Sequence, residues 1–407
     1  TGNKDFIYND RYVDKEDKYR HSKWLNFMEK RLNIAVDLLT KDGVIFASID
    51  DNEYPRLIML FEKIFGENNV KTIVVKMSEA SGLKMGGALK NGSIPKLKEY
   101  IVIGKKDGIK NIYFDLVPKE KWDSEYNIFL ENFTKEDKEK IEQISEKFIV
   151  DDHEIEELDN LVQKINLVSL NKKLKELNIL KKDQENWFFE NSYRIIRTAA
   201  SESVHKLALD KKKYNKNQLF FVKSDFSSTS SKPRVQIIFA KDNLTQHPGD
   251  FWSDIKTTGL DNEGGVDFKN GKKPIKLIER LIKSINKDSI TVLDFFAGSG
   301  TTGEVVLKLR DRKNIKFILC TSNDDNERIC EQATYPRLTN SINQYGGNLR
   351  YFKTSLLKKS KSIKSLKNQL TRECVEMLCV KENIYNLVKE TKEYKIFLSN
   401  DESRSLC

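Results

Sequence analysis

The run TVLDFFAGSGTTGEVVLKL, residues 291–309, constrains the fold more than any other part of the 407-residue sequence. An apolar, partly β-branched stretch, ITVLDFF, leads into a glycine-rich turn and then into residues with helical periodicity. The pattern predicts a buried strand, a sharp turn and a helix, the repeating unit of an α/β sheet. Gly298 and Gly300 stand where the chain reverses. Glycine admits left-handed backbone angles there and lets a ligand approach the main chain closely. The following helix would offer such a ligand its unpaired N–H groups and the positive end of its dipole. Thr301 and Thr302 add hydroxyl groups. A nucleoside-containing cofactor suits such a turn.

Two cofactors compete for it. Residues 298–303 spell G-x-G-x-x-G, with Asp324 following at about the 20-residue distance of the dinucleotide fingerprint. Phe296-Ala297-Gly298-Ser299-Gly300 also spells F-x-G-x-G, with Asp294 ahead of it. That is the S-adenosylmethionine turn of methyltransferases, where a strand-end carboxylate can meet the cationic amino-acid portion of the cofactor. A turn with a purely structural purpose is a third reading. The glycines do not choose among them.

The rest of the chain supplies context. Trp24, Phe27, Met28, Leu32, Ala35, Leu38 and Leu39 recur at helical spacing, and Lys41-Asp42-Gly43 ends that helix. GVIFASI reads as a buried strand, Pro55 opens another helix, and KTIVVKM is a second strand. The stretch SEASGLKMGGALKNGSIPK reads as a loop. Residues 118–186 are densely charged with helical stripes, which predicts an inserted helical region, and QLFFVKS and RVQIIFA read as strands. The α/β texture returns with a helix from Pro274 and the strand KFILCTS after the glycine turn. Beyond residue 350 the chain reads as Lys-rich helix, and its end, YKIFLSNDESRSLC, reads as cut off rather than capped.

Lys and Arg exceed Asp and Glu by ten, which favours a polyanionic partner such as nucleic acid, although an abundance of solvated lysines explains part of the excess. No apolar run is long enough to span a bilayer and the first residues carry no signal-peptide pattern, so a cytoplasmic protein is expected. The five cysteines and four histidines show no zinc spacing.

Five blocks occur in a definite order: TGNKDFIYNDRYVDKEDKYRHSKWLNFMEKRL, GVIFASIDDNE, FWSDI, KPIKLIERLI and LDFFAGSGTTG. Together they resemble the modification (Mod) subunits of type III restriction–modification systems, within the β-class of adenine-N6 DNA methyltransferases. The resemblance runs along nearly the whole chain. It implies a class I S-adenosylmethionine-dependent methyltransferase fold, a Rossmann-like mixed sheet with helices on both faces, carrying an inserted α+β target-recognition domain. The corresponding division is 1–78 for the first part of the methyltransferase domain, 79–250 for target recognition, 251–350 for the cofactor-binding part and 351–407 for a C-terminal helical extension. S-adenosyl-L-methionine would lie against Gly298 and Gly300 with Asp294, Phe296, Ala297, Ser299 and Thr301 around it. Lys273 and Pro274 match the family's K-P block, and Asp324 is the candidate for the ribose hydroxyls.

In the recognition region, Arg194 and Arg197 are candidates for DNA phosphates, and Trp187 for base stacking if it is not core. The family's catalytic D-P-P-Y is expected just upstream of Thr1. No Pro-Pro occurs in the chain, so these 407 residues alone are expected to be inactive. In that family the Asp and a proline carbonyl hold the adenine amino group while the aromatic residue stacks on the flipped base. Double-stranded DNA, a second Mod copy and a restriction (Res) subunit are the implied partners, with no membrane. The alternatives are an NAD-linked oxidoreductase using G-x-G-x-x-G, and a DNA-binding specificity component without chemistry.

Overall fold

A computed structural model describes residues 17–78, 86, 90–147, 151–200, 214–215, 218–219, 221–222, 236–255, 260–268, 271–311, 314–322, 328–354 and 362–407. They form two compact units, Thr1–Gly347 and Asn348–Cys407.

The first unit is a mixed α/β structure. Helix α1 (Arg20–Leu38), strand β1 (Val44–Ile49), helix α2 (Tyr54–Phe65) and strands β2 (Val70–Lys76) and β3 (Lys98–Lys105) follow one another in the chain. The sheet order is β1-β3-β2-β13, with β3 antiparallel to both neighbours and β13 (Phe251–Trp252) parallel to β2. Alternation along the strands sends Ile45, Ala47, Ile49 and Val102 to the α1/α2 face. Val44, Phe46, Ile101 and Ile103 go to the opposite face, against Leu277 and Leu281 of helix α7 (Ile275–Lys283). Gly104 on β3 is required by this packing, because a Cβ there would lie 2.6 Å from the Phe65 ring and 2.9 Å from that of Phe61.

Helix α7 serves a second sheet as well. Strands β14 (Ser289–Asp294) and β15 (Asn314–Leu319) pair in parallel and are covered by Ile282 of α7 and by Val305, Val306 and Leu309 of helix α8 (Thr301–Leu309). The buried strand expected at residues 290–296 is only half buried. Ile290 and Val292 face that core, while Leu293 on β14 and Ile318 on β15 are exposed, because α7 and α8 cover one face of the pair. Helix α9 (Tyr335–Tyr345), entered through a π-helical turn at Cys330–Thr334, packs against α8.

The described part of residues 117–246 is a structure with its own cores, joined to the rest by a neck in which β4 (Val117–Pro118) pairs antiparallel with β12 (Thr245–Gln246). Its antiparallel sheet has the order β10-β11-β7-β5-β6, from β5 (Ile128–Glu131), β6 (Asn166–Ser169), β7 (Ile195–Ala199), β10 (Phe221–Val222) and β11 (Gln236–Phe239). A short hairpin, β8 (Tyr214–Asn215) and β9 (Gln218–Leu219), lies beyond β7 in the chain. Helices α3 (Lys135–Ser145) and α4 (Asp152–Gln163) contribute Ile141, Ile144 and Leu158 to one core; α5 (Leu170–Glu176) and α6 (Gln184–Glu190) contribute to the other. The helical region expected over 118–186 therefore contains strands too. Four-residue strands are too short to stand out from a charged, helical background. The second unit likewise departs from the expected helix: α10 (Ile363–Glu382) is followed by antiparallel strands β16 (Asn386–Glu390), β17 (Lys395–Leu398) and β18 (Ser405–Leu406). No described helix is long and apolar enough to cross a membrane.

One ion pair fastens β13 to α7. Arg280 donates to both oxygens of Asp254 at 2.9 and 2.5 Å, Lys276 lies 2.8 Å from the same carboxylate, and the Arg280 guanidinium covers the buried ring of Trp252. Burial raises the Asp254 pKa, but the hydrogen bonds and charges of Arg280 and Lys276 outweigh it and hold it at about 2, against 3.8 ordinarily. The folded-state pKa is depressed, so this contribution is complete above pH 3.8 and is lost as pH falls toward 2. Asp254→Asn is expected to lower stability by roughly 1–2 kcal/mol at neutral pH, after allowance for solvent screening, in urea denaturation. The difference from the unaltered protein should shrink below about pH 4.

Candidate cofactor site at the glycine turn

The turn between β14 and α8 is built by its own backbone and by three side chains that hold it. Gly298 has φ +50° and Gly300 has φ +82°, both left-handed, and the Gly300 N–H closes the turn on the Ala297 carbonyl at 2.8 Å. Asp294 accepts from the Phe296 N–H at 3.0 Å and from the Thr302 hydroxyl at 2.6 Å. The strand end is thereby tied to the first turn of the helix. Thr334 reaches across from the π-helical turn to donate to the Gly298 carbonyl at 2.6 Å.

The hydroxyls expected to face a cofactor are used inside the fold. Ser299 and Thr301 are buried, their oxygens lie 3.2 Å apart, and Thr301 also donates to the Lys273 carbonyl at 3.3 Å. Ala297 is buried too, whereas Phe296 is half exposed. Helix α8 begins at Gly300, whose N-cap position carries no side-chain hydrogen bond. Gly303 has a purely packing role. A Cβ there would lie 2.5 Å from Leu338 and 2.8 Å from Leu319, so it sets how closely α8 approaches α9 and β15.

Behind the turn lies a buried ionic group that the sequence did not announce. Arg337 on α9 is fully buried; its Nε donates to Glu304 of α8 at 2.5 Å and its Nη1 to Ser299 Oγ at 3.2 Å. Glu263 stands 4.0 Å from Nη2 and accepts the Ile275 N–H, which caps α7. The arginine passes Gly264, where a Cβ would come within 2.4 Å of Nε. Gly264 and Gly265 both have positive φ beside it.

The K-P block does meet the turn, through that Thr301–Lys273 bond. The Lys273 ammonium pairs with Glu99 of β3 at 2.5 Å, and Pro274 is the buried residue from which α7 starts. The turn also adjoins the first block: Phe295 packs on the α1/α2 core, and the Phe296 ring lies 6.2 Å from that of Phe27 on α1. At the carboxyl end of β1, Asp50 and Asp51 pair with Lys96 and Lys98, each at 2.6 Å. Burial raises the Asp50 pKa, but Lys96 overcomes it and holds the carboxyl below its usual range. Asp324 lies outside the described residues.

The three nucleic-acid candidates sit together, and each is engaged within the inserted sheet. Trp187 stacks on Phe129 with centroids 5.8 Å apart, as part of a core that includes Tyr126 and Ile195. Arg194 donates to Asn191 Oδ1 at 3.0 and 2.5 Å and lies over Phe129. Arg197 pairs with the exposed Glu125 and lies over Tyr126.

Comparison with known proteins adds ancestry to this geometry. Residues 4–334 match the DNA methylase family. The chain is 30% identical over 345 residues to the probable type III restriction-modification enzyme HindVI Mod subunit of Haemophilus influenzae, a match covering 76% of this chain and 43% of that protein. It is 30% identical over 322 residues to the type III restriction-modification enzyme EcoPI Mod subunit of Escherichia phage P1, covering 75% and 46%. It is 24% identical over 352 residues to the type II methyltransferase M.KpnI of Klebsiella pneumoniae, covering 79% and 73%. The chain thus spans less than half the length of the type III relatives it matches.

Gly300→Ala tests the turn. A Cβ would meet the Thr334 methyl at 3.1 Å in a conformation that L residues avoid, so the obstacle is Thr334 and φ rather than the space of a ligand. A loss of about 2–3 kcal/mol in thermal or urea unfolding is expected. Gly298→Ala, whose Cβ meets nothing nearer than 3.7 Å, should cost about 1–2 kcal/mol.

Proposed function

This chain belongs to the DNA methylase family, and on that premise we propose that it carries the donor-binding and target-recognition parts of a type III modification enzyme. The reaction is transfer of a methyl group from S-adenosyl-L-methionine to adenine N6 in DNA. The observation that carries this reading is the pair of left-handed glycines at the uncapped start of α8, in a chain of this family.

The residues present fit the donor. Gly298 leaves the backbone open, the nearest side chain to a Cβ there being the Phe268 ring at 3.9 Å. When bound, S-adenosylmethionine supplies an electrophilic methyl group on a sulfonium centre. The main-chain N–H groups at the start of α8 hold the anionic end of the donor's amino-acid portion. Asp294, Ser299, Thr301 and Thr302 hold the turn and the start of α8 in place through their hydrogen bonds. Phe296 offers an exposed ring beside the turn, Lys273 and Pro274 fix α7 next to it, and Asp324 is assigned to the ribose hydroxyls. The β14–β15 pair and the four-stranded sheet are read as two parts of one Rossmann-like methyltransferase sheet, with α7 packed on both.

The sheet inserted between β4 and β12 is assigned to recognition of duplex DNA. Arg197 is the better placed of the candidates, since a DNA phosphate can replace its exposed partner Glu125. Trp187 contributes to the core under it. A second modification subunit and a restriction subunit are the proposed assembly partners.

Family membership gives no support to the dinucleotide alternative. Isothermal titration of the purified chain decides between the cofactors. S-adenosylmethionine is expected to bind at micromolar concentration and NAD not at all, and NAD binding alone would overturn the assignment.

A further inference from the structure

We infer that Arg337 is a positioning residue for the anionic end of the cofactor, acting through the glycine turn without touching the ligand. The inference rests on the proposed donor site and concerns how that site keeps its charge. Glu304 lies in the first turn of α8, one residue beyond the free N–H groups, its own N–H being bonded to the Gly300 carbonyl at 3.2 Å. An unpaired carboxylate there would oppose a bound anion and consume the positive end of the helix dipole. Arg337 removes that conflict. Its guanidinium is fully buried and holds Glu304 from the side of α9, with a hydrogen bond of 2.5 Å.

The same guanidinium orients the turn. Nη1 donates to Ser299 Oγ at 3.2 Å, and Ser299 lies between the two left-handed glycines. Nη2 is buried with no hydrogen-bond partner among the described residues, and the Glu263 carboxylate stands 4.0 Å away. A fully dehydrated arginine with one donor left over is an expensive way to join two helices, because a hydrophobic pair of the same volume would pack them at least as well. Its charge is what such a pair could not supply. Gly264 and Gly265 turn the chain aside at positive φ, and a side chain at Gly264 would meet the arginine.

The role is selective among ligands, and that selectivity is the test. S-adenosylhomocysteine carries the amino-acid portion with its carboxylate; methylthioadenosine keeps the adenosine and sulfur and lacks that portion. Their dissociation constants are to be measured by titration calorimetry for the unaltered chain, R337M, R337M/E304Q and S299A, with melting temperatures alongside. R337M is expected to weaken S-adenosylhomocysteine about tenfold or more and methylthioadenosine by no more than about twofold. Adding E304Q should recover part of the loss, because the stranded carboxylate is gone. S299A should show a smaller loss of the same selective kind, and it carries the test if R337M does not fold. Equal weakening of both ligands would reduce Arg337 to a structural support, and unchanged affinities would remove it from the site; either result overturns the inference. If the unaltered chain binds neither compound, the cofactor assignment itself fails and the inference falls with it.

Discussion

Helix α7 is the element on which the first unit depends. Leu277 and Leu281 belong to the core of the four-stranded sheet, and Ile282 belongs to the core of the β14–β15 pair. One amphipathic helix thus fills two hydrophobic interfaces, which needs apolar residues on more than the usual single stripe. Its start is fixed by Pro274 and by the Glu263 carboxylate on the Ile275 N–H, and its far end by Arg280 on Asp254. The glycine turn inherits its position from this helix through the Thr301–Lys273 bond. A displacement of α7 would separate the two sheets and move the turn with them.

The turn illustrates a division of labour between backbone and side chains. Ser299, Thr301 and Thr302 are polar residues in a motif that invites them to be read as ligands, yet their hydroxyls bond Arg337, the Lys273 carbonyl and Asp294. In a buried turn a polar side chain first satisfies neighbouring buried groups. The glycines answer to the backbone of the same turn: both take left-handed φ, and a Cβ at Gly300 would meet Thr334 at 3.1 Å.

Much of this was legible from residues alone. The helices at 20–38 and 54–65, the strands at 44–49 and 70–76 and the strand–turn–helix at 289–309 all have strong periodicity or clear breakers. The proximity of the K-P block to the glycine turn followed from resemblance and not from spacing, since nothing local says that Lys273 meets Thr301. Arg337 was invisible because it sits in an ordinary helical pattern, YPRLTNSINQY, and its partners lie 33 and 38 residues away. The strands at 128–131 and 166–169 were missed because four residues among charged helices carry little alternation, and those after 386 because a lysine-rich background hides them. Trp187 beside Arg194 and Arg197 could be read as an exposed stacking platform or as core, and Phe129 resolves the packing toward core.

The β4–β12 neck has a consequence for how such a chain assembles. Strand β13 must find β2 from about 175 residues further along, a pairing that would ordinarily carry a large entropic penalty for closing so long a loop. Pro118 and Val117 lie opposite Thr245 and Gln246, so once the intervening sheet has formed, the ends of that stretch emerge side by side. On one side only the short stretch from Gln246 to Phe251 then separates the neck from β13, and on the other β3, paired with β2, leads into it. A sheet held between such ends acts as a short tether, so changes of length within it leave the parallel strands in register.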